Sequence, residues 1–95
     1  MPRRRADRID SNQPDIVKDL RKMGYSVETG YDDILVGANG KTHWIEVKHP
    51  DTRSKKTGLI RQSEKKASQI RLEAEFKGSY AIVTSLDEIL ELIKG

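Results

Sequence analysis

The first regular pattern in the chain is that of an amphipathic helix over residues 11–24, "SNQPDIVKDLRKMG". Ser11 or Asn12 can cap its N-terminus, and Pro14 suits a first helical turn. Gly24 is a favourable residue for ending it. The apolar positions share one face at helical spacing and form the predicted core stripe of Ile16, Val17, Leu20 and Met23.

Short apolar runs predict four strands. The second and third, "DILVGA" and "KTHWIEVK", flank Asn39 and Gly40, and an Asn-Gly pair between such runs is the strongest short-range signal for a β-hairpin. "YSVET" predicts a strand before the hairpin, and "SYAIVT" predicts a buried strand near the end of the chain. The predicted strands cover residues 25–29, 33–38, 41–48 and 79–84.

Two further helices complete the pattern. After a polar loop over residues 49–58, "LIRQSEKKASQIRLEAEFKG" predicts a long helix over 59–78, with a core stripe of Ser63, Ala67, Ile70 and Ala74. "SLDEILELIKG" predicts a final helix with a Ser85–Glu88 capping box and a core face of Leu86, Ile89, Leu90 and Ile93. The order αβββαβα predicts an α/β fold, in which helices flank a mixed four-stranded sheet.

The hairpin fixes which side chains share a face. With a two-residue turn at 39–40, Asp33 lies directly opposite Glu46, and directly opposed side chains project to the same side about 4.5–5.5 Å apart. Lys48 is two residues beyond Glu46 and points to that side as well. The other face carries Ile34, Val36, Ile45 and Val47, all of them apolar.

The remaining large side chains of the hairpin are expected to pack. Trp44 lies opposite Leu35 on the face of the acids, where we expect it to pack under the second helix. His43 projects to the opposite face and is expected to pack or hydrogen-bond within the sheet. His49 lies nearer the acids and is a weak candidate for the site.

Two opposed carboxylates repel each other, and this repulsion needs relief. One acid can be protonated, a cation can lie between them, or a divalent metal can bind both. A metal beside a lysine and a phosphate would support phosphodiester hydrolysis. An ordinary cross-strand ion cluster on a solvated sheet face explains the same residues, and the pattern alone leaves both interpretations open.

Composition narrows the class of protein. The 95 residues suffice for one modest domain, which we assign to residues 11–95, while residues 1–10 carry no apolar pattern and are expected to form a flexible basic arm. The chain has no cysteine, which excludes disulfides and thiolate metal sites. No apolar run approaches the roughly 20 residues of a membrane span, and no apolar stretch follows the basic start, so a secretory signal is not expected.

The net charge of +3 is modest, but the basic residues are clustered. Such clusters suit a polyanion such as DNA, although a solvated tail and loop explain them equally well. The cluster members assigned to DNA binding are Arg3, Arg4, Arg5, Arg53, Lys55, Lys56, Arg61, Lys65 and Lys66.

Taken in order, the segments "NQPDIVKDLRKMG", "DDILVGANGK", "WIEVK", "LIRQSEKK" and "AIVTSLDEILELI" resemble the PD-(D/E)XK nuclease superfamily. The likeness covers residues 8–94 and is greatest to the VRR-NUC group and to small phage-type Holliday-junction resolvase-like nucleases. It implies a restriction-endonuclease-like core. Acid-x-Lys alone is a weak motif, and the ordered set is more specific.

The resemblance also implies roles. Asp33 and Glu46 would bind Mg²⁺ or Mn²⁺ together with the backbone carbonyl of Val47, and Lys48 would position or activate the attacking water. Gln62 resembles the supporting glutamine that such enzymes carry on their second helix, with Lys66 one turn further on. From the first helix, Asp10 and Gln13 fall where such enzymes approach the metal.

The chain departs from the family pattern at three places. Asp32 replaces the proline that usually precedes the first acid, and Thr84 stands where the VRR-NUC group often has arginine. The first helix carries no glutamate, so Asp10 and Asp15 are its substitutes for the usual acid there.

The expected activity is that of a Mg²⁺- or Mn²⁺-dependent endodeoxyribonuclease acting on branched DNA such as a Holliday junction. Cutting two strands symmetrically needs two sites, so a homodimer is expected. The expected location is cytoplasmic, with no membrane partner, and phage-type members extend it to a phage or prophage protein in a bacterial host. The alternatives are a non-catalytic nucleic-acid-binding module with the same fold and a small structural protein with an acidic site.

Overall fold

The computed structural model describes residues 12–30 and 33–94 of the chain. These residues form three α-helices and four strands in the predicted αβββαβα order, with short 3₁₀ turns at Pro50–Thr52 and Gln62–Glu64. The elements are α1 (Gln13–Lys22), β1 (Ser26–Thr29), β2 (Asp33–Ala38), β3 (Lys41–Val47), α2 (Ala67–Glu75), β4 (Ser79–Val83) and α3 (Leu86–Lys94). The predicted arm over residues 1–10 lies outside the described residues.

The strands form one four-stranded sheet in the order β1-β2-β3-β4. The first three strands pair antiparallel, and β4 joins β3 in parallel after the chain has crossed over through α2. The sheet is therefore mixed, as the sequence predicts, and β3 is an inner strand with a neighbour on each side.

The β2–β3 hairpin has the predicted register. Asp33 pairs with Glu46, Leu35 with Trp44 and Ala38 with Lys41. The turn residues Asn39 and Gly40 have φ angles of 56° and 78°, which is the left-handed pair that a two-residue hairpin turn requires. The sequence-level assignment of the two faces of the hairpin is thus confirmed.

The core lies on the face of the sheet that bears the apolar hairpin residues. Ile34, Val36, Ile45 and Val47 are all buried there. Helices α1 and α3 close this face with the stripes that the sequence predicts, and the buried members are Ile16, Val17, Leu20, Ile89 and Ile93. Met23 is the exception, because it follows the last turn of α1 and is 51% exposed.

The side chain of the residue before α1 hydrogen-bonds to the sheet and not to the first turn of the helix. Asn12 occupies the N-cap position, but its side chain makes no capping hydrogen bond. Instead, Asn12 Nδ2 donates to the carbonyl oxygens of Lys48, at 3.3 Å, and Thr84, at 3.0 Å. Of the two caps that the sequence offers, Asn12 therefore does not cap α1 with its side chain, and Ser11 lies outside the described residues. The Asn12 amide instead links α1 to the ends of β3 and β4.

The predicted second helix over 59–78 is wrong at its start. Ile60 forms an antiparallel bridge with Arg53, and Ser54 N–H donates to the Leu59 carbonyl at 2.8 Å, so residues 53–60 fold back as a small hairpin. Burial of Ile60 favours this arrangement, since a helix through this segment would break the bridge. Helix α2 starts only at Ala67, after Lys66 with extended backbone.

The predicted core stripe of the second helix is also wrong. Ser63 precedes α2, and Ala67, Ile70 and Ala74 are exposed. The buried side chain of α2 is Gln69. Just beyond the helix, Phe76 packs against Trp44 of β3.

Among residues 12–30 and 33–94, no helix combines the length and the apolar character needed to cross a bilayer.

The turn geometry gives a first testable prediction. Gly40→Ala places a Cβ at a φ of 78°, which costs an L-residue about 1–2 kcal/mol. We expect the free energy of unfolding to fall by that amount in urea denaturation. Gly30→Ala is the matched control, because an added Cβ there meets nothing within 4 Å and its effect should stay within about 0.5 kcal/mol. An equal loss in both variants would contradict the role assigned to the turn.

Candidate functional site

Two carboxylates lie side by side on the face of the sheet away from the main core. Asp33 begins β2 and pairs directly with Glu46 near the end of β3, while Ile82 of β4 is the neighbour of Glu46 on its other side. Glu46 is only 5% exposed, and Asp33 is half-buried. The predicted acid pair is therefore brought together, with one member in an environment that excludes most water.

Lys48 completes the cluster. Its Nζ lies 3.9 Å from Glu46 Oε2, and its side chain is only 13% exposed. The backbone of Lys48 is fixed on both sides, because its N–H donates to the Val83 carbonyl at 2.7 Å and its carbonyl accepts from Asn12. An ammonium group is thus held next to a buried carboxylate by contacts from both α1 and β4.

Sequence reasoning missed a contact to Asp33. Trp44 Nε1 donates a hydrogen bond to Asp33 Oδ2 at 2.6 Å. The indole also makes edge-to-face contacts with Phe76, just after α2, at 5.4 Å and with Tyr80 of β4 at 5.2 Å between ring centroids, so Trp44 packs on the predicted face beside the end of α2. A signal was present, because Trp44 is diagonal to Asp33 on the same sheet face, within reach of an aromatic side chain.

The oxygen atoms at this place fit a hard divalent cation. Mg²⁺ is commonly held by one or two carboxylates, with water and substrate phosphate as its other ligands. No group of three His, Cys, Asp or Glu residues suited to a metal exists within the described ranges, so a cation held by Asp33 and Glu46 would need backbone, water or phosphate oxygens as further ligands. At the start of α1, Gln13 carries a buried side-chain oxygen, Oε1, that has no hydrogen-bond partner.

Other candidates from the first helix are only partly described. Gln13 is buried at the start of α1, one residue after the Asn12 amide that contacts the Lys48 carbonyl. This places Gln13 at the end of the sheet that carries Lys48. Asp10 lies outside the described residues, and Asp15 is exposed in the first turn of α1.

The structure places Gln62 outside helix α2, on which the sequence had predicted it. Gln62 is exposed in a 3₁₀ turn and lines a cavity of about 510 Å³ that is also bordered by Arg53, Lys65 and Ile82. It does not start α2, so Gln62 and Lys66 do not share a helix face. The buried glutamine of α2 is Gln69, whose Oε1 accepts from Lys66 N–H at 3.0 Å. Its signal was its place three residues after an N-cap, as in a capping box.

The two histidines have local partners. His43 is buried and shares a 2.6 Å hydrogen bond with Ser79 Oγ, which confirms its packing role within the sheet. His49 accepts from Asp51 N–H in the 3₁₀ turn that follows β3.

Several predicted DNA-binding residues are engaged within the protein. Arg61 donates to the carbonyls of Asp51 and Arg53, and Lys65 pairs with Glu73 at 2.8 Å. Lys55 and Lys56 are exposed at the tip of the 53–60 hairpin, where they can reach a ligand. Arg3, Arg4 and Arg5 lie outside the described residues.

Arg53 holds the 53–60 hairpin on the domain. Its guanidinium donates to Thr84 Oγ1 at 2.9 Å and to the Gly58 carbonyl at 2.7 Å, and it forms an ion pair with Glu88. Glu88 Oε1 also accepts from Thr84 N–H and Ser85 Oγ–H, so the predicted Ser85–Glu88 contact at the start of α3 is present. With its guanidinium engaged in this way, Arg53 is better assigned to holding the hairpin than to contacting DNA.

These contacts change the acidity of Glu88. Burial by itself raises the pKa of this carboxyl, but the hydrogen bonds from Thr84 and Arg53 and the charge of Arg53 outweigh it, and the pKa lies below its ordinary value of 4.5. The folded protein therefore binds fewer protons at this position than the unfolded chain. The stability that Glu88 contributes is complete above pH 4.5 and is lost as the pH falls through the lower folded-state pKa.

The direction of the pKa shift of Glu88 gives a second prediction. Glu88→Gln removes the ion pair, so we expect it to lower the free energy of unfolding near neutral pH and to flatten the dependence of stability on pH in acid. Urea denaturation at a series of pH values measures both effects. Glu91→Gln is the control, because Glu91 is largely exposed and only pairs with Lys94 on the same helix. An unchanged acid dependence in Glu88→Gln would contradict the assigned role.

The site thus consists of a buried glutamate, an aspartate hydrogen-bonded to an indole, and a lysine, where the start of β2 lies beside the end of β3. Comparison of the chain with models of protein families, with curated proteins and with solved structures finds no match. The function of the site must therefore be inferred from its own geometry and chemistry.

Proposed function

We propose that the protein is a metal-dependent DNA endonuclease that hydrolyses phosphodiester bonds. The observation that carries the proposal is the direct pairing of Asp33 with Glu46 beside Lys48, whose Nζ lies 3.9 Å from Glu46 Oε2. Burying charged groups such as these carries a desolvation penalty in folding free energy. Clusters of this kind are concentrated at functional sites.

Asp33, Glu46 and the Val47 carbonyl would hold Mg²⁺ or Mn²⁺. When bound, the cation supplies charge stabilisation for a phosphate oxygen and favours ionisation of water. Lys48 holds its ammonium beside Glu46, where it can orient a water molecule toward the phosphorus and donate to a phosphate oxygen. Glu46 fixes that ammonium, and its burial limits competition from bulk water.

The proposal includes the fold family. A restriction-endonuclease-like core has an αβββαβα order with the acids on the second and third strands and a parallel fourth strand. The chain agrees with this scheme in its element order and in its mixed sheet. On this basis residues 11–95 would form one PD-(D/E)XK nuclease domain.

The proposed substrate is DNA, bound through its phosphates. Lys55 and Lys56 are exposed on a hairpin that Arg53 fixes to the domain, and the Arg3–Arg5 segment adds positive charge to the chain. Phosphate contacts position DNA without reading its sequence. We therefore propose selectivity for DNA shape, with a branched substrate such as a four-way junction.

A homodimer follows from the same proposal. The described domain has extents of 37 × 32 × 24 Å, which is about one turn of duplex DNA, or roughly 34 Å. A domain of this size with one acid cluster can cleave one DNA strand at a time. Symmetric cleavage of two strands would need a second copy related by a two-fold axis.

The central prediction concerns cleavage. We expect Asp33→Asn and Lys48→Ala each to lower the rate of cleavage of a four-way junction in Mg²⁺ or Mn²⁺ by about 10²–10⁴-fold, the usual loss when a group acting on the reacting atoms is removed. EDTA should abolish cleavage by the wild-type protein. Rates are compared on the junction and on a plain duplex of the same length.

The matched control is Glu28→Gln. Glu28 is an exposed acid on β1 that pairs with Leu35. Its substitution removes one negative charge from the neighbouring strand and leaves the acid cluster unchanged. Its cleavage rate should equal that of the wild-type protein. DNA binding without cleavage in either metal would instead support the non-catalytic module, and an Asp33→Asn variant with full activity would refute the proposed site.

A further prediction concerns binding. Lys55→Ala combined with Lys56→Ala should weaken DNA affinity for all sequences and reduce the slope of log K against log[salt] by about 2, because each phosphate contact contributes about 0.9. Single-turnover cleavage of bound DNA should be unchanged. The control pair is Lys18→Ala with Lys22→Ala, two exposed lysines on α1. If the control reduces the slope equally, the tip of the hairpin is not the contact.

A further inference from the structure

Trp44 is the only tryptophan of the chain, and its single polar group, the indole N–H, donates a hydrogen bond to a carboxylate. An indole Nε1–H can donate one hydrogen bond and accepts none. That bond goes to Asp33 Oδ2 at 2.6 Å, which is short for an N–H donor. The contact therefore selects one of the two oxygens of Asp33.

The indole itself has little freedom. Phe76, just after α2, and Tyr80, on β4, both meet its ring edge-to-face at 5.4 and 5.2 Å. Trp44 also lies on β3 with a neighbouring strand on each side. The direction of the N–H is consequently set by three separate elements, namely β3, β4 and the segment after α2.

We propose that Trp44 is a positioning residue for a divalent cation at Asp33. By holding Oδ2, the indole fixes the rotation of the carboxylate and leaves the other oxygen, Oδ1, for the cation. The aromatic cluster of Trp44, Phe76 and Tyr80 thereby links β4 and the segment after α2 to the geometry of the proposed metal site. This inference rests on the proposed function, because it requires Asp33 to bind a metal.

The expected size of the effect follows from comparable sites. Groups that hydrogen-bond to a metal ligand from outside the coordination sphere typically change metal affinity or activity by roughly 10–100-fold when they are removed. Trp44→Phe keeps an aromatic ring in the cluster and removes only the donor and part of the ring. We expect it to weaken Mn²⁺ binding, measured by the EPR signal of free Mn²⁺, by that factor.

A spectroscopic readout needs no catalysis. Because the chain has one tryptophan, a ¹H–¹⁵N spectrum shows one indole N–H resonance. Titration of the wild-type protein with Mg²⁺ should shift this resonance with the affinity of the site. Asp33→Asn retains an oxygen that can accept from the indole, so its resonance should persist and no longer respond to Mg²⁺.

Phe76→Leu is the matched control for packing. It removes one of the two ring contacts that hold the indole but keeps the indole donor, so it should lower thermal stability and weaken Mn²⁺ binding by clearly less than Trp44→Phe, which removes the partner of the metal ligand itself. An equal loss of Mn²⁺ affinity in Phe76→Leu and Trp44→Phe would show that packing, rather than the hydrogen bond, is responsible, and would overturn the inference.

The remaining outcomes separate this inference from the proposed nuclease. Mn²⁺ affinity lost in Asp33→Asn but unchanged in Trp44→Phe would refute the positioning role and leave the metal site intact. A wild-type protein that binds no Mn²⁺ and shows no indole shift at millimolar Mg²⁺ would refute both.

Discussion

The two-residue turn at Asn39 and Gly40 is the constraint on which the site depends. Side chains alternate along a strand with a period of two, so a shift of one residue in the β2–β3 pairing would turn one strand over relative to the other. Asp33 would then lie opposite an apolar residue such as Val47, and the two acids would project from opposite faces of the sheet. The buried apolar face and the left-handed turn both resist that shift, so the forces that fold the hairpin also bring the carboxylates together.

The surroundings of the acids come from distant parts of the chain. Asn12 joins the start of α1 to Lys48 and Thr84, and Trp44 connects Asp33 to the rings of Phe76 and Tyr80. The hairpin therefore supplies the charged groups, while the helices and β4 fix their orientation. This division is suited to a catalytic site, in which the supporting contacts must be as well defined as the reactive groups.

Sequence reasoning succeeded where local rules decide the structure. The hairpin register follows from one dipeptide, and the helices α1 and α3 follow from their apolar stripes, so the element order and the acid pair were predictable. It failed between residues 53 and 66, because helical spacing is present there while the burial of Ile60 and its bridge with Arg53 depend on tertiary packing. No local signal indicated that Arg53 would pair with Glu88, which lies 35 residues further along the chain.

The anchoring of Asn12 has a consequence for the basic residues at the start of the chain. Asn12 contacts the carbonyl of Lys48, so whatever precedes it is attached at the edge of the acid cluster. Nine peptide units separate Arg3 from Asn12, and a chain covers at most about 3.6 Å per residue, or roughly 32 Å in total. The reach of these arginines from Asn12 is thus limited to about the length of one turn of duplex DNA, a limit set by covalent geometry alone.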